Sequence, residues 1–68
     1  MPLRPTRRLG MKIKQLREER GMTQAELADK VGIHPMYVSR IERGVQVPSL
    51  VLLEKVAKAL RVEMRMLL

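Results

Sequence analysis

Carboxylates, imidazoles and thiols are the side chains that usually carry reactive chemistry, and this chain arranges none of them for it. Its seven Asp and Glu residues are scattered over helical surfaces, His34 is the single histidine, and cysteine is absent. A nucleophile needs an adjacent base and a metal needs several convergent ligands, so neither catalysis nor metal binding is expected, and no cofactor. No Gly-rich phosphate loop is present either. What remains is cationic hydrogen-bonding chemistry. Fourteen Lys and Arg give a net charge of +7 on 68 residues. Residues 1–20 hold seven of these cations against Glu18 and Glu19, while residues 21–68 hold seven against five acids. An excess gathered in the first third points to a polyanionic partner more than to a surface tuned for solubility.

Those cations must be positioned by a small fold. Sixty-eight residues support one domain with one core. With no Phe or Trp, and Tyr37 as the only aromatic, the core must be Leu, Ile, Val, Met and Ala, which suits packed helices. No apolar run approaches the ~18 residues of a membrane span, and no signal peptide is expected.

Residues 1–8 read as a basic N-terminal arm, because Pro2 and Pro5 interrupt any helix and no apolar period is visible. The domain proper is expected over 9–68. Leu9, Ile13 and Leu16 fall at i, i+4 and i+7 and predict a first helix that Gly21 stops. Thr23-Gln24-Ala25-Glu26 matches a capping box, with Met22 and Leu27 at staple spacing. The short second helix that follows ends at Gly32. His34 before Pro35 is a second start signal, since Pro favours the first helical position and extends its predecessor. Val38 and Ile41 face inward on this third helix, and Gly44 ends it. Ser49 is the expected cap of a fourth helix with Leu50, Leu53, Val56, Ala57 and Leu60 on its inner stripe. Met64 to Leu68 reads as the start of a fifth.

A joint as short as Gly32-Ile33-His34 forces the second and third helices to a steep angle, with small Ala28 allowing close approach. Capped helix, inward Ala, turn Gly and inward Val38 and Ile41 together make a helix-turn-helix pattern over about 23–42. At this point the chain resembles the Cro/repressor (Xre-like) family, through LGMKIKQLREERGMTQAELADKVGIHPMYVSRIERG and VPSLVLLEKVAKALRV. The resemblance implies an all-α, five-helix lambda-repressor-like DNA-binding domain. Its third helix, 35–43, would enter the major groove, usually as half of a homodimer on a palindromic operator.

Each matching position then acquires two readings. Gln24 lies in the first turn of the second helix, where free amides favour a phosphate, and is otherwise an exposed residue beside a cap. Pro35, Met36, Ser39 and Arg40 match the family's base-reading positions. Arg40 can offer two hydrogen bonds to guanine O6 and N7, or pair with a neighbouring acid instead. Met36 suits a thymine methyl or a neutral surface. Tyr37 either reaches a phosphate with its hydroxyl or serves packing. His34 departs from the family's usual Ser or Thr and reads as a weak cap or phosphate contact. Arg43 and Gln46 match the loop that meets the DNA backbone. Arg17 and Glu42 match a structural ion pair and are excluded from the contact residues. Arg7 and Arg8 oppose the macrodipole if Thr6 caps the first helix, at a cost of ~0.3–1 kcal/mol each that a phosphate would offset.

The sequence therefore reads as a cytoplasmic, nucleoid-associated transcriptional regulator, most simply a repressor. A protein-interaction adaptor, the antitoxin of a toxin–antitoxin pair and a membrane-surface role are the competing classes. Val51, Leu52, Met66, Leu67 and Leu68 are the apolar residues expected at a dimer interface.

Overall fold

The computed structural model describes residues 4–68 and contains four α-helices. These are α1 (Pro5–Glu19), α2 (Gln24–Val31), α3 (Pro35–Glu42) and α4 (Leu50–Leu60). The fifth helix expected at 64–68 is one 3₁₀ turn, Met64–Met66, closed by Met66 and Leu67 amides on the Glu63 and Met64 carbonyls. No side chain caps it, and so short a run cannot offset the cost of α-helix nucleation. The turn instead delivers Leu67, 3% exposed, into the core.

Helix α1 also begins earlier than expected. Pro5 occupies its first position, where a missing N–H is harmless, and Arg4 is the N-cap. Thr6 is therefore inside the helix and caps nothing. Residues 5–8, expected as a loose arm, are helical; Pro2 and the rest of 1–3 lie outside the described residues.

The other boundaries follow local chemistry. Thr23 and Glu26 close the reciprocal capping box at 3.0 and 2.9 Å. Its backbone and hydroxyl hydrogen bonds hold the Glu26 carboxyl below its ordinary range, with Lys30 adding a smaller effect. Gly32 adopts φ 76°, the left-handed geometry that lets α2 end and the chain turn directly into α3. Ser49 caps α4 through the Leu52 amide. At the far end of α4 stands Arg61 at φ 57°, ψ 45°, a left-handed cap without glycine.

Ile13 and Leu16 of α1, Leu27, Ala28 and Val31 of α2, Val38 and Ile41 of α3, and Leu53, Val56, Ala57 and Leu60 of α4 form one core with Leu67. Helix α3 packs on α1 and α2, and α4 packs on α2. Helices α1 and α3 approach closely at Gly10, where a Cβ would lie 2.2 Å from the Ile41 carbonyl oxygen. Leu50, expected on the inner stripe of α4, is 69% exposed, because the first turn of that helix projects beyond the core. Among the described residues, no helix is long and apolar enough to cross a membrane.

Candidate nucleic-acid interface

The helix-turn-helix is built from two eight-residue helices and a three-residue joint. Ala28 is buried at the joint, and its carbonyl accepts the Ile33 amide at 3.0 Å. His34 Nδ1 accepts the Met36 amide at 3.0 Å, so the ring is a true N-cap. With Nδ1 accepting, Nε2 is the ring nitrogen left to donate, at the exposed start of α3.

Because Val38, Ile41 and Glu42 face inward, α3 turns Pro35, Met36 and Arg40 to solvent. Met36 is 53% exposed. Arg40 makes no side-chain hydrogen bond or ion pair among the described residues. Ser39 is half-buried beside this face, and Tyr37 packs partly against the core.

The end of α3 is tied down by a buried polar network. Arg17 grips Glu42 in a fork, Nε to Oε2 at 2.7 Å and Nη2 to Oε1 at 3.1 Å, and donates Nη1 to the Met22 carbonyl at 2.7 Å. The bond from Glu42 raises the Arg17 pKa against the opposing effect of burial, so the guanidinium keeps its charge. Gln24 joins it, Nε2 donating to Glu42 Oε1 at 3.0 Å. The amide of Gln24 is thus held in one orientation, with its second N–H still available as a donor.

Helix α1 brings a further strip of cations to the same end. A Cβ on Gly44 would meet the Arg7 Cα at 2.8 Å, and Arg7 Nη1 reaches the Arg43 carbonyl at 3.4 Å. Arg7, Lys14, Gln24 and Arg43 line one hollow of about 340 Å³ together with Glu18 and the already paired Glu42. Arg43 donates Nε to the Ser39 carbonyl at 3.4 Å. Gln46 is half-buried in the loop beyond.

The structure therefore places Gln24, Arg7 and Arg43 together beside α3 and separates Arg8 from them. Arg8 borders hollows on another flank of α1, one of them against Val47, Leu67 and Leu68. Lys14 was not among the expected residues, yet it stands seven residues from Arg7 and so on the same helical stripe. That spacing was readable. Of the apolar residues expected at a dimer interface, Val51, Met66 and Leu68 are exposed, Leu52 is half-buried, and Leu67 belongs to the core.

The family described as "Helix-turn-helix" matches residues 13–67. The HTH-type transcriptional regulator SinR of Bacillus subtilis (strain 168) is 46% identical over 61 residues, 88% of this chain and 55% of SinR. The immunity repressor protein of Bacillus phage phi105 is 44% identical over 55 residues, 81% of this chain and 38% of the repressor. The chain thus spans about half the length of SinR and less of the phage protein. Among solved structures, the restriction-modification controller protein C.AhdI from Aeromonas hydrophila has a TM-score of 0.90 at 36% identity, covering 93% of this chain and 96% of that one. SinR in complex with DNA has a TM-score of 0.82 at 45% identity, with 87% and 95% covered.

Proposed function

The chain belongs to the helix-turn-helix family, and from that premise we propose that it is a sequence-specific reader of double-stranded DNA that regulates transcription, most simply as a repressor. The observation that carries this is the outward face of α3. Arg40 stands there with no side-chain partner among the described residues, between exposed Pro35 and Met36 and the anchored end at Glu42. An unpaired guanidinium on a fixed helix can donate both hydrogen bonds to guanine in the major groove. An adaptor helix built for a protein partner would show a cluster of apolar or acidic residues, whereas Glu42, the only acid of α3, is buried under Arg17.

Around this reading element, backbone contacts come from donors already aimed. Arg7, Lys14 and Arg43 supply charge beside the second N–H of Gln24, at the start of α2, where the helix dipole also favours a phosphate. His34 Nε2, the Tyr37 hydroxyl, Ser39 and Gln46 extend the contact along α3 and its following loop. Arg8 would meet the duplex only beyond this footprint. Val51, Leu52, Met66 and Leu68 supply a weak homodimer interface, pairing two copies on palindromic half-sites about one helical turn apart. The protein would work in the cytoplasm, on the nucleoid.

Selection from random duplexes followed by sedimentation on the best sequence tests this. A preferred palindrome carrying two protomers is expected. No sequence preference, and no duplex binding even at low salt, would transfer the reading to a protein-interaction adaptor.

A further inference from the structure

The reading face is built on α3, the start of α2 and the Arg7–Lys14 stripe of α1, but a second group of cations lies on the later turns of α2 and α4. Lys30 closes α2, while Lys55, Lys58 and Arg61 run down the last turns of α4. They meet in two adjoining hollows of about 360 and 490 Å³, and no carboxylate lines either. Neither hollow includes a residue of α3, and neither shares a lining residue with the hollow at Arg7, Lys14, Gln24 and Arg43. The patch is therefore separate from the reading face.

Helix electrostatics account for part of the patch. Lys30 and Lys58 sit in last turns, where a cation offsets the negative end of the dipole. Arg20 is also explained, because its Nε donates to the Leu60 carbonyl at 2.7 Å and it lies 3.9 Å from Glu19. Lys55 and Arg61 are not explained this way. Lys55 stands mid-helix, and Arg61 occupies a left-handed position that glycine or asparagine would fill without strain. Neither they nor Lys30 and Lys58 form an ion pair among the described residues, although Glu26 lies near enough to Lys30 to feel its charge.

We propose that Lys30, Lys55, Lys58 and Arg61 form a second polyanion site that holds the phosphate backbone of another DNA duplex, so that one protomer bridges two duplexes. The chemistry of the patch favours a phosphate backbone over a protein surface. Protein interfaces are depleted in Lys and enriched in aromatics. This patch is mostly Lys, has no aromatic, and offers only half-buried Met22 and Ala59 as apolar contact. Lysine ammonium groups act as point charges on phosphates and need no base-reading geometry, so the second duplex is held without regard to sequence.

The test is a nuclear magnetic resonance titration of the whole chain with a 20-bp duplex, taken to two equivalents per protomer. The proposal depends on the reading-face assignment only for the first equivalent, and the two sites report separately. Signals of α3 should move with the first equivalent, and those of Lys55, Lys58 and Arg61 with the second. A Lys55→Gln, Lys58→Gln, Arg61→Gly triple variant that melts no lower than the parent should keep the first event. It should lose at least about tenfold in affinity for the second. Patch signals that stay still through both equivalents overturn the proposal. So does a patch that moves with poly-glutamate and not with DNA, which would assign it to an acidic protein. Movement of the patch without α3 would leave the phosphate site standing, but would overturn the bridging of two duplexes and remove the reading face.

Discussion

Replacing Gly10 by alanine sets helix propensity against packing, and the two give opposite signs. Gly10 lies inside α1, where alanine is favoured over glycine by about 1 kcal/mol. Its Cβ, however, would sit 2.2 Å from the Ile41 carbonyl oxygen and 2.6 Å from that of Glu42. Both neighbours are backbone at the end of α3 and have no flexible end that could yield. Relief requires α1 and α3 to separate by roughly an ångström, and overpacking of that kind costs about 1–3 kcal/mol. The absence of a yielding neighbour argues for the upper end, so the net loss is about 2 kcal/mol. In a domain of this size that lowers Tm by about 8–16 °C. The same separation stretches Arg17 away from Glu42, since Arg17 is two turns from Gly10 on one stripe. Thermal and urea unfolding of Gly10→Ala measure the effect. A Tm raised by about 4–8 °C, as propensity alone predicts, would refute the close approach of the two helices.

The buried pair offers a second test: Arg17→Ala should cost about 3–5 kcal/mol, because Glu42 keeps only Gln24 as a partner. A volume-matched Arg17→Met, Glu42→Leu double variant should recover most of that in denaturant melts, and failure to recover would mean that the pair itself supplies the stability. The capping box gives a pH dependence. Glu26 has a lowered folded pKa, so its stabilising contribution is complete above the ordinary carboxylate value of 4.5 and is lost as pH falls through the lowered one. Stability measured from pH 6 down to pH 2 should therefore fall less steeply in Glu26→Gln than in the parent, and parallel curves would remove Glu26 from the cap. Finally, Arg61→Gly relieves a left-handed arginine and should stabilise the fold by about 1 kcal/mol, a Tm rise of about 4–8 °C; a lower Tm would show that the side chain stabilises the fold by packing.

Much of this fold was legible because the local signals are chemical and nearby in sequence. Thr23 with Glu26, His34 with Pro35, and Ser49 each mark a helix start whose hydrogen bonds form within three residues. Signals with two meanings are less legible. Pro5 is as good a helix opener as a helix breaker, and the apolar pattern C-terminal to it does not choose between the two. The terminal apolar stretch has helical composition but too few residues, and the burial of Leu67 decides its path. At the site, helix position together with the family resemblance singled out Gln24 and Arg40, and the resemblance alone pointed to the pairing of Arg17 with Glu42. The closeness of Arg7 to Gly44 and the tightness at Gly10 depend on how α1 lies across α3. Such contacts span more than thirty residues and leave no periodic trace beyond the Arg7 to Lys14 stripe.

The central claim is that α3 reads bases while the cations of α1 and the following loop hold the backbone, and one binding titration separates those roles most directly. Arg40→Ala and an Arg7→Ala, Arg43→Ala pair are titrated on matched and single-mismatch duplexes across a series of salt concentrations. Arg40→Ala should lose about 1–3 kcal/mol on the matched duplex and discrimination at one base pair, with the parent's preference kept elsewhere. The double variant should weaken binding to every duplex alike and flatten the salt dependence by about 0.9 log unit of slope for each phosphate that is no longer neutralised. Uniform weakening from Arg40→Ala, together with altered base preference in the double variant, would contradict the account.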